Sequence, residues 1–334
     1  MINPIRRTLS PELFHGKNKK RSFFEGWYYK LVSADKLRSF AIIPGIFQDK
    51  QGDNSCAFIQ ILDSSKEESE FIEFPLDVFK SKPWQFEVEV GGNTFRKDGL
   101  QVNIHRSVYE FSADLSFLHL KPWPVKLLSP GIMGWYSWVP FMECFHGVLS
   151  LDHTIQGSIS LNGEKIDFSD GKGYIEKDWG TAFPEAWVWQ QSNHFSEDEI
   201  SLTASIAIIP WVRKAFPGFI IGFLWNGQLY RFATYTGAKT TRLEISDTEI
   251  YWRVEDKRHI LEMHTIKGKS TTLIAPTPNG MKKQIAESVT SRVDIKLRQK
   301  IKTGFTLIYQ GTGSQAGLEV EGNITKLLQM VENT

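Results

Sequence analysis

Ser39-Phe40-Ala41-Ile42-Ile43-Pro44 returns later in the chain as Ser205-Ile206-Ala207-Ile208-Ile209-Pro210, identical at five of six positions. Upstream of each copy stand a Glu, a small residue, a Trp, any residue and an aromatic: Glu25-Gly26-Trp27-Tyr28-Tyr29 and Glu185-Ala186-Trp187-Val188-Trp189. Downstream, Phe58-Ile59 and Phe219-Ile220 follow at similar spacing. The offsets are 160, 166 and 161, so a small insertion separates the registers. Three matches in one order argue for an internal duplication.

Each half reads as β structure. Short runs alternate apolar and polar residues, with turn signals between them. Asn162-Gly163 and Asn226-Gly227 read as two-residue hairpins. Thr241–Val254 and His259–Lys267 are strand-like and rich in β-branched residues. Helical signals are confined to Ile324–Val331 and one turn at Pro11–His15. The expected fold class is all-β, mainly antiparallel, with few short helices. A duplicated β unit of ~160 residues that opens on a Gly/Ala-Trp strand predicts a lipocalin-like barrel, whose side chains alternate between lumen and exterior. Two in tandem fill the chain, as 1–172 and 173–334, with the junction inside 171–184.

Composition bounds the function. Apolar residues make up 41% and charged residues 23% of 334, as in a globular protein. The net charge of +1 gives no field that recruits nucleic acid. Aromatics reach 13%, with 11 Trp, which suits an apolar or π-rich ligand site. Cys56 and Cys144 form no CxxC pair and read as small buried hydrophobes. The N-terminus has no apolar signal region, and no apolar run approaches ~18 residues. The expected location is cytoplasmic, with membrane contact limited to the periphery.

The stretch Gly173–Phe195, GYIEKDWGTAFPEAWVWQQSNHF, collects the residues that could carry chemistry. If extended, Tyr174, Glu176 and Asp178 share a face, and so do Trp187, Trp189, Gln191 and Asn193. If the second face is a lumen, two indoles and two amides line a cavity, matched in the first repeat by Glu25, Trp27 and Tyr29. A carboxyl buried without a cationic partner keeps its proton near neutral pH and can act as a general acid. Protonating an alkene makes a carbocation, which an indole face stabilises. Glu176 and Asp178 are close enough to couple, one holding a proton while the other stays ionised. A structural strap, with Glu176 paired to a Lys or Arg, is the alternative.

Lys121–Gly147 is irregular, Pro- and Gly-rich, and heavily apolar. It reads as a lid, a membrane contact or a core plug. Lys17, Lys19, Lys20 and Arg21 form a basic cluster that suits an anionic lipid surface or plain solvent. Gly311–Ala316 fits the loose dinucleotide fingerprint, but a strand pattern follows where the phosphate site needs a helix. His259 and His264 face opposite sides of a strand, and no linear spacing suggests a metal site.

Three segments carry a resemblance to the tocopherol cyclase family: Phe23–Lys30 (FFEGWYYK), Pro130–Ser150 (PGIMGWYSWVPFMECFHGVLS) and Gly173–Phe195. More distantly, Tyr174-x-Glu176-x-Asp178-x-Gly180 is similar to the Tyr-x-Asp-x-Asn-x-Gly pattern of the carotenoid hydratases. Glu and Asp here stand where that pattern has Asp and Asn. The resemblance implies a two-domain lipocalin-like fold and cofactor-independent protonation of an isoprenoid double bond. In the cyclases a phenol oxygen then closes a chromanol ring; in the hydratases water attacks. The acidic position maps to Glu176.

The leading expectation is thus an enzyme that cyclises a prenylated phenol or hydroquinone, with no cofactor and no metal. Glu176 is the proton donor and Asp178 its partner. Trp27, Tyr29, Tyr174, Trp179, Trp187 and Trp189 shape the apolar site, and Gln191 and Asn193 orient the head group. A non-catalytic carrier of a lipophilic molecule and an alkene hydratase are the alternatives.

Overall fold

The computed structural model describes residues 4–17, 19, 22–52, 54–277 and 280–334. Lys20 and Arg21 of the basic cluster lie outside them. Two compact units emerge: Met1–Phe183 with Leu273–Gln284, and Pro184–Thr272 with Ile285–Thr334. The contacts divide the chain at Phe183/Pro184, within the expected 171–184 junction, and 172/173 falls inside a strand of the first unit.

After a short helix α1 (Pro4–Thr8), the first unit runs through β1 (Phe23–Val32), β2 (Ser39–Gln48), β3 (Cys56–Asp63), β4 (Glu68–Phe74), β5 (Phe79–Ser81), β6 (Glu87–Val90) and β7 (Asn93–Arg96). It continues with β8 (Gly99–His105), β9 (Glu110–Leu118), a small β10/β11 hairpin (Val125–Lys126, Ser129–Pro130), β12 (Cys144–Leu161), β13 (Glu164–Asp167) and β14 (Gly171–Gly180). Its main sheet orders these β4-β3-β2-β1-β14-β12-β9-β8-β7-β6-β5, with β13 on β12. The second unit holds β15 (Ala186–Ser192), β16 (Ser201–Trp211), β17 (Lys214–Trp225), β18 (Gln228–Ala233), β19 (Lys239–Ile245), β20 (Glu249–Glu255) and β21 (His259–Ile266). β22 (Thr271–Thr277), β23 (Gly280–Ile301), β24 (Gly304–Gly322) and the helix α2 (Ile324–Glu332) complete the chain. The second sheet runs β18-β17-β16-β15-β24-β23-β21-β20-β19, with β22 on β23.

The two orders repeat one plan. In each sheet the opening strand sits between the second strand and the last, and the pairs are antiparallel. This is the two-barrel lipocalin-like architecture that the duplication predicts. Both Asn-Gly turns form hairpins with both residues at positive φ (51° and 82°; 50° and 70°), the conformation that makes Asn-Gly favourable there. Gly311–Ala316 lies inside β24. Asn323 caps α2, its side chain accepting from the Lys326 amide.

The expected helical turn at Pro11–His15 is replaced by turns and extended chain. Its backbone groups go elsewhere: Lys177 takes the Pro11 and Leu13 carbonyls, and Glu25 takes the His15 amide. A helix would need those groups for its own ladder.

Alternation sorts each sheet into a lumen face and an outer face. The first lumen is filled by Trp27, Tyr29, Phe40, Ile42, Phe86, Phe95, Phe117, Ile175 and Trp179 in one cluster. The second holds Ala186, Val188, Ile206, Ile208, Phe223 and Trp252. Trp187 and Trp189 are buried but stand apart from this cluster, so the expected indole and amide face of β15 is the outer one. Gln190 is the residue that reaches inward, to Met263 and Thr265.

Candidate functional site

β14 carries one charge cluster on each face. Its lumen face presents Ile175, Lys177 and Trp179; its outer face presents Tyr174, Glu176 and Asp178. Across the sheet, Glu176 lies opposite Tyr28 on β1 and Val148 on β12, and Asp178 lies opposite Gly26 and His146.

The outer cluster brings together three of the predicted residues and one that sequence reasoning missed. Tyr174 Oη donates to Glu176 Oε2 at 2.6 Å. His146 Nδ1 lies 2.9 Å from Asp178 Oδ1, and His146 Nε2 lies 3.6 Å from Glu176 Oε2. Glu176 is 5% exposed, and the His146 side chain 13%. Burial alone would lower the histidine's pKa, but Asp178 and Glu176 outweigh it and raise it to about 9. At neutral pH the ring is therefore an imidazolium clasped between two carboxylates.

His146, Glu176 and Asp178 also have donor atoms within 4.8 Å of one another, close enough to consider a metal ion. One ring nitrogen serves Asp178 and the other faces Glu176, so the carboxylates sit at opposite ends of the imidazole. The same arrangement would leave Nε2 and Glu176 to hold an ion while Nδ1 stays on Asp178.

The lumen cluster is built differently. Lys177, with no exposed side-chain surface, lies 2.5 Å from Glu25 Oε1 and 3.0 Å from His15 Nδ1. Its ammonium sits 4.8 Å from the Trp27 ring centre and 4.7 Å from that of Trp179. Burial works to raise the Glu25 pKa, but Lys177 and the His15 contact outweigh it and hold the carboxyl ionised. Burial, with Lys177 beside it, drives His15 down to about 4. Neutral His15 can then accept from Lys177 at Nδ1 and donate from Nε2 to the Arg7 carbonyl at 3.3 Å. His15 stacks on Trp179, ring centres 4.5 Å apart, and Phe145 stacks on it too, at 5.4 Å.

This places the other predicted site residues. Trp27, Tyr29 and Trp179 belong to the packed first lumen, on the far side of the sheet from Glu176. Trp27 Nε1 donates to the Glu12 carbonyl, and Tyr29 Oη to that of Arg96. Trp187, Trp189, Gln191 and Asn193 lie buried in the second unit, where Trp187 Nε1 donates to Glu319 at 2.6 Å. The Trp189 ring lies over Gly317, where a Cβ would come within 2.6 Å of it.

The sequence has relatives among known proteins. Residues 120–322 match the family model described as tocopherol cyclase-like, a span that includes His146, Tyr174, Glu176 and Asp178. A protein of Oryza sativa subsp. japonica named "Probable tocopherol cyclase, chloroplastic" is 31% identical over 208 residues, covering 57% of this chain and 42% of its own. "Tocopherol cyclase, chloroplastic" of Zea mays is 29% identical over 203 residues, covering 57% of this chain and 41% of its own. The chain thus matches about two fifths of the length of these relatives. Among solved structures, CghA superposes with a TM-score of 0.54 at 9% identity, covering 90% of this chain and 88% of CghA, a likeness of fold.

Proposed function

Because the chain belongs to the tocopherol cyclase-like family, we propose that it closes a ring on a prenylated phenol or hydroquinone by protonating the prenyl alkene at Glu176. The observation that carries this reading is the clasp of His146 between Glu176 and Asp178, buried on the outer face of β14.

The proton sits on His146 at rest, where two carboxylates make the imidazolium favourable. An apolar substrate laid over Glu176 removes water and makes separated charges costly. Moving the proton from His146 Nε2 to Glu176 Oε2, 3.6 Å away, neutralises both partners without changing the net charge of the group. Asp178 keeps the ring oriented through Nδ1, and Tyr174 positions the Glu176 carboxyl. The carboxylic acid then protonates the less substituted alkene carbon. The phenol oxygen attacks the tertiary cation, and the phenolic proton returns to Glu176, so atoms and charge balance. Tyr28 lies opposite Glu176 on β1 and Tyr174 bonds its carboxyl, so two aromatic residues neighbour the place where the cation forms.

The test is turnover of a prenylated hydroquinone, followed by mass spectrometry and proton NMR of the chromanol. Glu176→Gln should lower kcat at least ~100-fold, the lower range for losing a general acid, in protein whose circular dichroism shows it folded. His146→Gln should do likewise, and wild-type turnover should fall as pH rises through about 9. Undiminished turnover in folded Glu176→Gln protein refutes the assignment.

A further inference from the structure

The segment between β9 and β12 contains an unusual turn. Val125 pairs with Pro130 and Lys126 with Ser129, leaving Leu127-Leu128 as the two-residue tip. Hairpin tips ordinarily take Gly, Asn or Asp, whose backbones suit the turn and whose surfaces suit water. Here two leucines occupy the tip, 61% and 85% exposed. Phe141, 55% exposed, adds a third apolar side chain to the segment's surface.

The tip is held rigidly. Trp138 Nε1 donates to the Leu127 carbonyl at 3.0 Å, and Ser137 Oγ to the Pro130 carbonyl at 2.8 Å. A short helical turn, Gly134–Trp138, carries both donors. Apolar residues are thus fixed outward, where exposure to water opposes them. Such an arrangement suits a partner that covers it.

The form of the finger identifies that partner. It is convex and narrow, so a flat or concave protein face would cover the two leucines less fully than a medium that flows around them. Lys121–Gly147 contains Lys121 and Lys126 against one acid, Glu143, a net positive charge that complements an anionic surface. The chain from α1 towards β1, residues 4–17 and 19, forms an N-terminal strap that carries Arg6, Arg7, Lys17 and Lys19 and passes Pro11 beside Gly131, next to the finger. Trp138, 37% exposed behind the tip, suits the depth at which indoles sit in a bilayer. We propose that the Leu127-Leu128 finger inserts into the headgroup and acyl boundary of an anionic lipid bilayer, with Lys126 and the strap on the phosphates.

The proposal goes beyond the ring closure and is tested without substrate, so the two fail separately. The probe is a vesicle of phosphatidylcholine with about one third phosphatidylglycerol, read by co-sedimentation of the full chain. Wild-type protein should bind, and Leu127→Glu/Leu128→Glu should weaken partitioning at least ~10-fold, since it removes two buried leucines. Lys121→Glu/Lys126→Glu should weaken it several-fold and flatten its dependence on salt. Both variants alter exposed or half-buried side chains, and unchanged circular dichroism melts confirm their fold. Wild-type protein that fails to bind vesicles overturns the proposal, as does a Leu pair variant that binds like wild type. Analytical ultracentrifugation supplies a third arm. Self-association that the Leu pair variant abolishes, with vesicle binding retained, assigns the finger to a second copy of the chain and overturns the lipid assignment.

Discussion

On the lumen face of β14, a lysine, a glutamate and a histidine share one buried space; on its outer face, two carboxylates share a histidine. The first histidine is driven to about 4 and the second to about 9. Burial lowers both, so the difference comes from the neighbours. Lys177 already neutralises Glu25, and His15 has no reason to charge. On the outer face Glu176 and Asp178 both face His146, and His146 becomes the cation. The lumen cluster is a closed set of partners that fixes a strap. The outer cluster holds a proton shared between unlike groups, which is what proton transfer needs.

The sharpest way to break this contrast is to open the lumen set. Lys177→Met leaves Glu25 buried beside a thioether and strips the Pro11 and Leu13 carbonyls of their donor. Removing one partner of a buried ion pair costs about 3–5 kcal/mol, read as a lower urea midpoint. Glu25→Gln/Lys177→Met should recover part of that loss, because no unpaired charge remains. A single variant as stable as wild type would show that the cluster does not hold the strap.

On the outer face the expected change is in proton affinity. Asp178→Asn removes one of two anions and should lower the His146 pKa by ~1–3 units, the range for loss of an adjacent opposite charge. NMR titration of the imidazole measures it. A curve unchanged from wild type would mean that Asp178 does not hold the ring charged. His15 should stay neutral in both proteins, since it belongs to the other face.

His146 also marks where the sequence stops being legible. It lies 32 residues from Asp178, and they meet because β12 pairs with β14 across register shifts at Val148/Ser150 and Ser150/His153. No linear spacing encodes that. It lies in Lys121–Gly147, whose composition reads as a lid, a membrane contact or a core plug, and in Pro130–Ser150, which carries the family resemblance. Alternation did group Tyr174, Glu176 and Asp178 on one face, because β14 is unbroken.

The repeat was legible, but the direction of its aromatics was not. Tyr29 pairs with Ile42, and both face the first lumen. The repeat equates Trp189 with Tyr29 and Ile208 with Ile42, yet Trp189 pairs with Ser205. The second hairpin has therefore slipped by three residues relative to the first. An odd slip turns a strand's side chains to the other face of the sheet. Trp187 and Trp189 consequently stand outside the second lumen, whereas Trp27 and Tyr29 fill the first. Local pattern sets which residues alternate, whereas pairing register sets which set is inside.

The smallest expected effect is the pH dependence of stability, and there the two histidines oppose one another. His15 falls from 6.5 to about 4 on folding, so its native form stays neutral while the unfolded chain takes up a proton. Its contribution is present above 6.5 and is lost as pH falls from 6.5 towards 4. His146 rises from 6.5 to about 9, so native protein holds a proton that the unfolded chain has released. Its contribution is present below 6.5 and is lost as pH rises towards 9. Relative to wild type, His146→Gln should flatten the alkaline limb of the melting temperature and His15→Gln the acid limb, each by on the order of a few degrees. Both limbs flattening together in one variant would show that the clusters titrate as one group. Separate limbs would show that the sheet insulates them, so that a proton can move on one face of β14 while the strap on the other stays fixed.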